Sequence, residues 1–197
     1  MNNFKTKLNK IFNKETFTSK DEITDATIYI VNKTTQEINA KLQKESRNAN
    51  HIYIYNSEIN EKTFKILATY SNLQLLNLND TNTTDDGLKA LQLCPNLAML
   101  YLERTKITDD GLKALQLCPN LKLLSLRSTK ITDEGLRCLA LLKNLTILNI
   151  NHINITDKGL KHLAALKNLT KLYIKYTNIT NEGAQQLKQI LPNVKMQ

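Results

Sequence analysis

The sequence predicts an α/β solenoid, with parallel strands lining a concave sheet and helices on the convex side. Three observations carry this expectation. Leu73, Leu97, Leu121, Leu145 and Leu169 each open a 24-residue unit. The phrases Ile107-Thr108-Asp109-Asp110-Gly111-Leu112, Ile131-Thr132-Asp133-Glu134-Gly135-Leu136 and Ile155-Thr156-Asp157-Lys158-Gly159-Leu160 recur at one place in the unit. Within a unit, the apolar spacing changes from two residues to three. A fixed period of this length marks coils that bury their apolar faces only against their neighbours.

In the unit opened by Leu97, Leu100 and Leu102 lie two apart, the spacing of a strand with one face inward. Leu112 and Leu115 lie three apart, the spacing of a helix face. Each unit therefore reads strand, turn, helix, turn. Thr108, Thr132 and Thr156 stand where a helix N-cap belongs, and the Asp after each suits the positive end of the helix. Gly87, Gly111, Gly135, Gly159 and Gly183 recur at one position and are all the glycines in the chain; they permit close packing or an unusual backbone angle. Pro95 and Pro119 fall just after two helices, which they cannot continue.

The pattern Leu97-x-x-Leu100-x-Leu102-x-x-Thr105-x-Ile107-Thr108-Asp109-x-Gly111-Leu112-x-x-Leu115 resembles the leucine-rich repeat. It is closest to bacterial repeats of this length carrying the Ile-Thr-Asp-x-Gly-Leu phrase, which are similar to the cysteine-containing class. The resemblance implies a right-handed horseshoe whose function is recognition, in settings such as a bacterial effector or an adaptor. The widespread class places Asn at the ninth position, whereas this chain has Thr81, Thr105, Thr129, Ile153 and Thr177. An Asn ladder at that place is absent, so Thr or backbone bonds must substitute.

The same register runs backwards. Ile52, Ile54, Ile59, Phe64 and Leu67 lie one period before Leu76, Leu78, Thr83, Leu88 and Leu91, and Ile28 and Ile30 one period earlier still. The chain thus divides into an amphipathic segment at residues 1–24, degenerate repeats at 25–72, and five repeats with a terminal cap at 73–197. In the first segment Phe4, Leu8, Ile11 and Phe12 share a helix face, with Lys5, Lys7, Lys10 and Lys14 around them. Two readings stand: a cap laid over the first coil, or a basic segment that docks on a membrane surface or a partner.

The 197 residues carry a net charge of +9, three Cys and no Trp. No apolar run is long enough for a membrane-spanning helix, and residues 1–20 lack the apolar stretch of a signal peptide. The Asn-x-Thr triplets at Asn144 and Asn168 then read as products of the repeat. Cys94 and Cys118 occupy a position held by Leu142 and Leu166 in later units, so reduced buried thiols are expected. The expected location is cytoplasmic, in a bacterium or in a host cell's cytosol for a secreted effector. Lys65, Lys89, Lys113, Arg137 and Lys161 form a convex ridge, which reads as solvation or as a footprint for nucleic acid or anionic lipid. Acids interrupt it and no aromatics interleave, so nucleic acid is the weaker partner.

Alternation directs the third, fifth and seventh positions of each unit outward onto the concave sheet, and the eighth continues that surface. The third row is Leu75, Met99, Leu123 and Ile147, ending at Lys171. The fifth is Tyr29, Tyr53, Asn77, Tyr101, Ser125, Asn149 and Tyr173; the seventh is Val31, Tyr55, Asn79, Glu103, Arg127, Asn151 and Lys175. The eighth is Asn32, Asn56, Asp80, Arg104, Ser128, His152 and Tyr176. Six of the seven Tyr lie in these rows. The core is Leu and Ile, so these Tyr read as displayed anchors for a protein or peptide, with Tyr53, Tyr101 and Tyr173 foremost and Glu103, Arg104 and Arg127 setting orientation. Leu75, Met99, Leu123 and Ile147 read either as an apolar contact stripe or as a half-buried row.

No catalytic constellation is visible. His51, His152 and His162 lack metal-ligand spacing, and every glycine is isolated in a repeat, so no phosphate loop forms. The ladder Asp85, Asp109, Asp133, Asp157 could bind calcium but is better explained by helix termini. The sequence therefore predicts a non-enzyme with no cofactor and no small-molecule substrate.

Overall fold

The computed structural model describes residues 27–45 and 47–197. The expectations for residues 1–24 lie outside these. The elements follow the repeat: β1 (Thr27–Val31), α1 (Thr35–Lys44), β2 (His51–Tyr55), α2 (Glu61–Leu67), β3 (Leu75–Asn77), α3 (Asp85–Lys89), β4 (Met99–Tyr101), α4 (Asp109–Leu115), β5 (Leu123–Ser125), α5 (Asp133–Leu139), β6 (Ile147–Asn149), α6 (Asp157–Leu160), β7 (Lys171–Tyr173), α7 (Asn181–Ile190) and β8 (Lys195–Met196). Short 3-10 turns, Ala90–Leu93 and Lys161–Ala165, extend α3 and α6.

The eight strands form one open parallel sheet in chain order. Ile28 pairs with Ile52, Ile52 with Leu76, Leu76 with Leu100, and so on to Met196, one period per step. Inward side chains of the strands and the apolar side of the helices make one continuous core from Ile28 to Val194. Cys94 and Cys118 are buried in it as free thiols, and burial pushes both up to about 11. Thiolates are the reactive form, so these two are inert packing groups.

The coils are also hydrogen-bonded to each other through side chains. Asp85 accepts the Thr108 N–H at 2.9 Å on one oxygen and the Thr108 hydroxyl at 2.6 Å on the other. Asp109 holds Thr132, Asp133 holds Thr156 and Asp157 holds Thr180 in the same way. These Thr were expected as helix caps. Thr108, Thr156 and Thr180 do accept an N–H of their own helix, whereas Thr84 and Thr132 do not. Their shared task from Thr108 onward is to clasp the previous coil. The recurring Gly follows from it: no glycine has positive φ, and a Cβ on Gly111, Gly135, Gly159 or Gly183 would collide with the clasping carboxylate. At Gly87 the colliding group is the Phe64 ring.

The missing Asn ladder is replaced in two places. Thr81, Thr105, Thr129 and Thr177 each donate a hydroxyl to a carbonyl three residues back, at 2.6–2.7 Å. On the far side of the coil, Asn96, Asn120, Asn144 and Asn168 donate their amides to the carbonyls of Ser71, Pro95, Pro119 and Lys143 at 2.8–2.9 Å.

Two outcomes test the clasp. Gly135→Ala should lower stability by about 1–3 kcal/mol through overpacking against Asp109, read as a fall in the urea midpoint; an unchanged midpoint would show that the carboxylate swings away freely. Bonds from Thr180 hold the Asp157 carboxyl below its ordinary value. A carboxyl whose pKa is lower folded than unfolded contributes stability that is complete above the ordinary carboxylate range and lost as the pH falls through the folded value. Melting in acid should therefore show a smaller gap between the wild type and Asp157→Asn than melting at neutral pH. A gap that widens in acid contradicts the assignment.

Candidate recognition surface

The predicted site residues of the third, fifth and seventh rows point outward from the core, but most of them are not displayed. Tyr53 and Tyr101, expected as leading anchors, are only 2% and 5% exposed. Leu75, Asn77, Asn79, Glu103, Ser125 and Asn149 are buried as well. Tyr55, Met99, Leu123, Arg127, Ile147, Asn151, Lys171 and Tyr173 are half-buried. The expectation of open tyrosines is corrected, and the third row is the half-buried alternative, with Leu75 fully enclosed. Tyr53, Leu75 and Tyr101 join Tyr29, Tyr55, Met99 and Leu123 in a second apolar cluster, separate from the core. Tyr29 stacks on Tyr53 with ring centroids 4.7 Å apart.

The buried polar members of these rows serve the backbone. Asn77 accepts the Asn79 N–H at 2.9 Å, and Asn79 accepts the Glu103 N–H at 2.7 Å in the next coil. Asn149 and Asn151 repeat this with Asn151 and Lys175. Ser125 donates to a Glu103 carboxylate oxygen at 2.8 Å. Asparagines that satisfy turn amides are committed groups, and leaving those amides unpaired would cost about 1–3 kcal/mol each. Arg127 differs: its Nε is buried and has no hydrogen-bond partner among the described residues.

The eighth row does not continue the strand surface. β1 and β2 end at the seventh position and β3 to β7 at the fifth, and Asn32, Asn56, Asp80, Arg104, Ser128, His152 and Tyr176 all have φ between 46° and 59°. This left-handed region suits Asn, Asp and His and is uncommon for Arg and Tyr. The row forms a rim of paired side chains. Asn56 donates to Asn32 at 2.7 Å. Arg104 grips Asp80 through two nitrogens, which holds its guanidinium above even an arginine's ordinary range. His152 and Tyr176 stack at 4.2 Å. Tyr176 is 76% exposed with Lys175 exposed next to it in the chain, and Arg104 is exposed three coils earlier. Burial, reinforced by Asp80, raises the Tyr55 phenol above its usual value.

The convex ridge is neutralised locally. Lys65 pairs with Glu61, Lys89 with Asp86, Lys113 with Asp110 and Arg137 with Glu134, at 2.5–3.3 Å. One helical turn further on, Leu93, Leu117 and Leu141 are each about 60% exposed. Sequence reasoning missed these; their shared register was the available signal. Among the described residues no group of three His, Cys, Asp or Glu is placed to hold a metal ion, and no helix is long and apolar enough to cross a membrane.

A family model described as a leucine-rich repeat matches residues 93–115, 117–140, 142–164 and 165–188. These four stretches are leucine-rich repeats. Among solved structures the chain is similar to internalin C2 of Listeria monocytogenes, with 22% identity, 83% of this chain and 76% of that one covered, and a TM-score of 0.59. It is also similar to a leucine-rich-repeat protein of Leptospira interrogans, with 21% identity, 77% of this chain covered and a TM-score of 0.57. The chain spans 37% of the length of that protein. A second Listeria internalin, inlF, matches at 16% identity over 76% of this chain and 54% of its own, with a TM-score of 0.51. At these identities the likeness is one of fold. No curated protein matches the chain.

The division into buried floor and exposed rim has a direct test. Tyr101→Ala should lower stability by on the order of 3 kcal/mol, as other buried aromatic truncations do, while Tyr176→Ala should stay within about 0.5 kcal/mol of wild type. Equal shifts in urea unfolding would erase the distinction.

Proposed function

We propose that this chain is a non-catalytic recognition module that binds a protein or peptide partner on the concave side of the horseshoe. The observation that carries the reading is Tyr176. It is a large aromatic held out in water on left-handed backbone and braced by the His152 ring. Such an arrangement costs free energy and brings no core packing, which is the pattern of a site kept for contact. Around it lie the exposed Lys175 and half-buried Lys171, Tyr173 and Arg127, the last with an unsatisfied Nε. This end of the surface is cationic and aromatic, so it suits an acidic partner segment.

The role of an effector or adaptor fits a small repeat module of this kind, and reduced buried thiols fit a reducing compartment such as a bacterial or host cytosol. Binding to a polyanion through the convex ridge is the weaker reading, because four of its cations are already paired. Affinity capture from a host or bacterial lysate tests the proposal. Tyr176→Ala combined with Arg127→Ala should reduce capture of a specific partner at least tenfold, about 1.4 kcal/mol or more, with the melting temperature unchanged; Lys113→Glu on the convex face should not. Capture that follows the convex variant and collapses steeply with added salt would replace this reading with the polyanion one.

A further inference from the structure

Leu93, Leu117 and Leu141 hold one position in three successive coils, and each is 59–61% exposed. The core does not need them, because Leu91, Leu115 and Leu139 of the same coils already fill it. The row is bounded by Thr69 in the coil before and Ala165 in the coil after. Packed helices stand about 8–10 Å apart, so the stretch from Leu93 to Ala165 spans about 24–30 Å. Single exposed leucines are ordinary, whereas a continuous row of them marks a contact.

Charge selects the occupant. The chain carries +9, so two copies repel over most of their surface. Beside the leucine row the charges balance instead: Asp86 pairs with Lys89, Asp110 with Lys113 and Glu134 with Arg137. The face also has a polarity. The position held by Asp86, Asp110 and Glu134 becomes Lys158 in the next coil, next to Lys161, and neither lysine is in a salt bridge among the described residues. At the opposite end a groove of 660 Å³ runs between α3 and α4. Its lining includes the acids Asp85, Asp86 and Asp110, the lysines Lys89 and Lys113, and the apolar Ala114 and Leu117.

We propose that this convex face binds a second copy of the chain, antiparallel, about a two-fold axis between α4 and α5. The rotation sets Leu117 of each copy against Leu141 of the other and Leu93 against Ala165. It also brings Lys158 and Lys161 of each copy to the acid-rich groove of its mate. Knob, groove and both charge signs lie on one face of one chain, so the match is self-complementary and closes at two copies. Two convex faces meet most closely at their centre, α4 and α5, and long lysine side chains reach across the gap that widens toward α3 and α6. So narrow a strip buries less than the about 800 Å² per partner of a standard interface, and the dimer is weak. The concave sides point apart and stay open, so the dimer offers two recognition surfaces and gains avidity for a partner with repeated segments.

Sedimentation of the full chain over a range of concentrations supplies the test. The wild type should pass from monomer to dimer with a dissociation constant on the order of 100 µM or tighter. Leu117→Lys changes an exposed side chain, so it should weaken the dimer by about tenfold or more with the melting temperature unchanged. Asp86→Lys should also weaken it, and adding Lys158→Asp to the same chain should restore it, because the exchanged charges meet again across the axis. A wild type that stays monomeric to about 1 mM overturns the proposal and assigns the leucine row to a different protein. A dimer untouched by Leu117→Lys, a species larger than a dimer, or a double exchange that restores nothing also overturns it. The Tyr176→Ala, Arg127→Ala variant, which probes the concave side, should dimerise as the wild type does.

Discussion

Coil after coil, this protein closes on a carboxylate carried by the coil before. Asp85, Asp109, Asp133 and Asp157 each take both the N–H and the hydroxyl of a Thr in the following coil. A solenoid unit has no core of its own, so it is stable only when its phase against the next unit is held. Leucine stacking supplies the attraction but slides easily. A charge-assisted bond to two donors at a defined angle does not. The glycine three residues beyond each Thr exists to leave room for that carboxylate. Where the previous coil offers Phe64 instead, at Gly87, Thr84 has no side-chain cap bond and the phenyl ring fills the same space.

With phase fixed, the two sides of the sheet meet different conditions. Inward rows fill a continuous apolar core. Outward rows sit on a concave surface, where neighbouring side chains converge, and their members are drawn into a second cluster or spent on turn amides. The outward side chains that reach water therefore lie mostly at the rim and not on the floor. There the chain turns through left-handed backbone at every coil, and the side chains face water in pairs. The early coils meet that turn with Asn32, Asn56 and Asp80, which adopt it readily. The later ones include Arg104 and Tyr176, which adopt it against their preference, and His152. The rim thus passes from a polar amide row into a cationic and aromatic one.

Several features were readable in advance and several were not. Leu100 and Leu102 announced a strand, and Leu112 and Leu115 a helix, because each signal lies within a few residues of one chain. Thr105 was visibly standing in for Asn, and it does so by bonding its own coil. Asp109 does stand in the first turn of its helix, as expected; its second task was not legible, because its partner, Thr132, lies a full coil away. Asn144 and Asn168 looked like incidental repeat letters, although each bonds a carbonyl of the previous coil. Tyr53 and Tyr101 were correctly aimed and wrongly supposed to be open, since alternation gives direction and not exposure.

By itself, the sequence determined the solenoid, its period, the strand register and the identity of the core. These follow from hydrophobic periodicity, which is a property of a line of residues. Only the tertiary structure decided which outward side chains reach water, what the aspartates hold, and that the eighth position turns left-handed. Those depend on the curvature of the stack and on groups one coil apart, distances that a one-dimensional pattern does not contain.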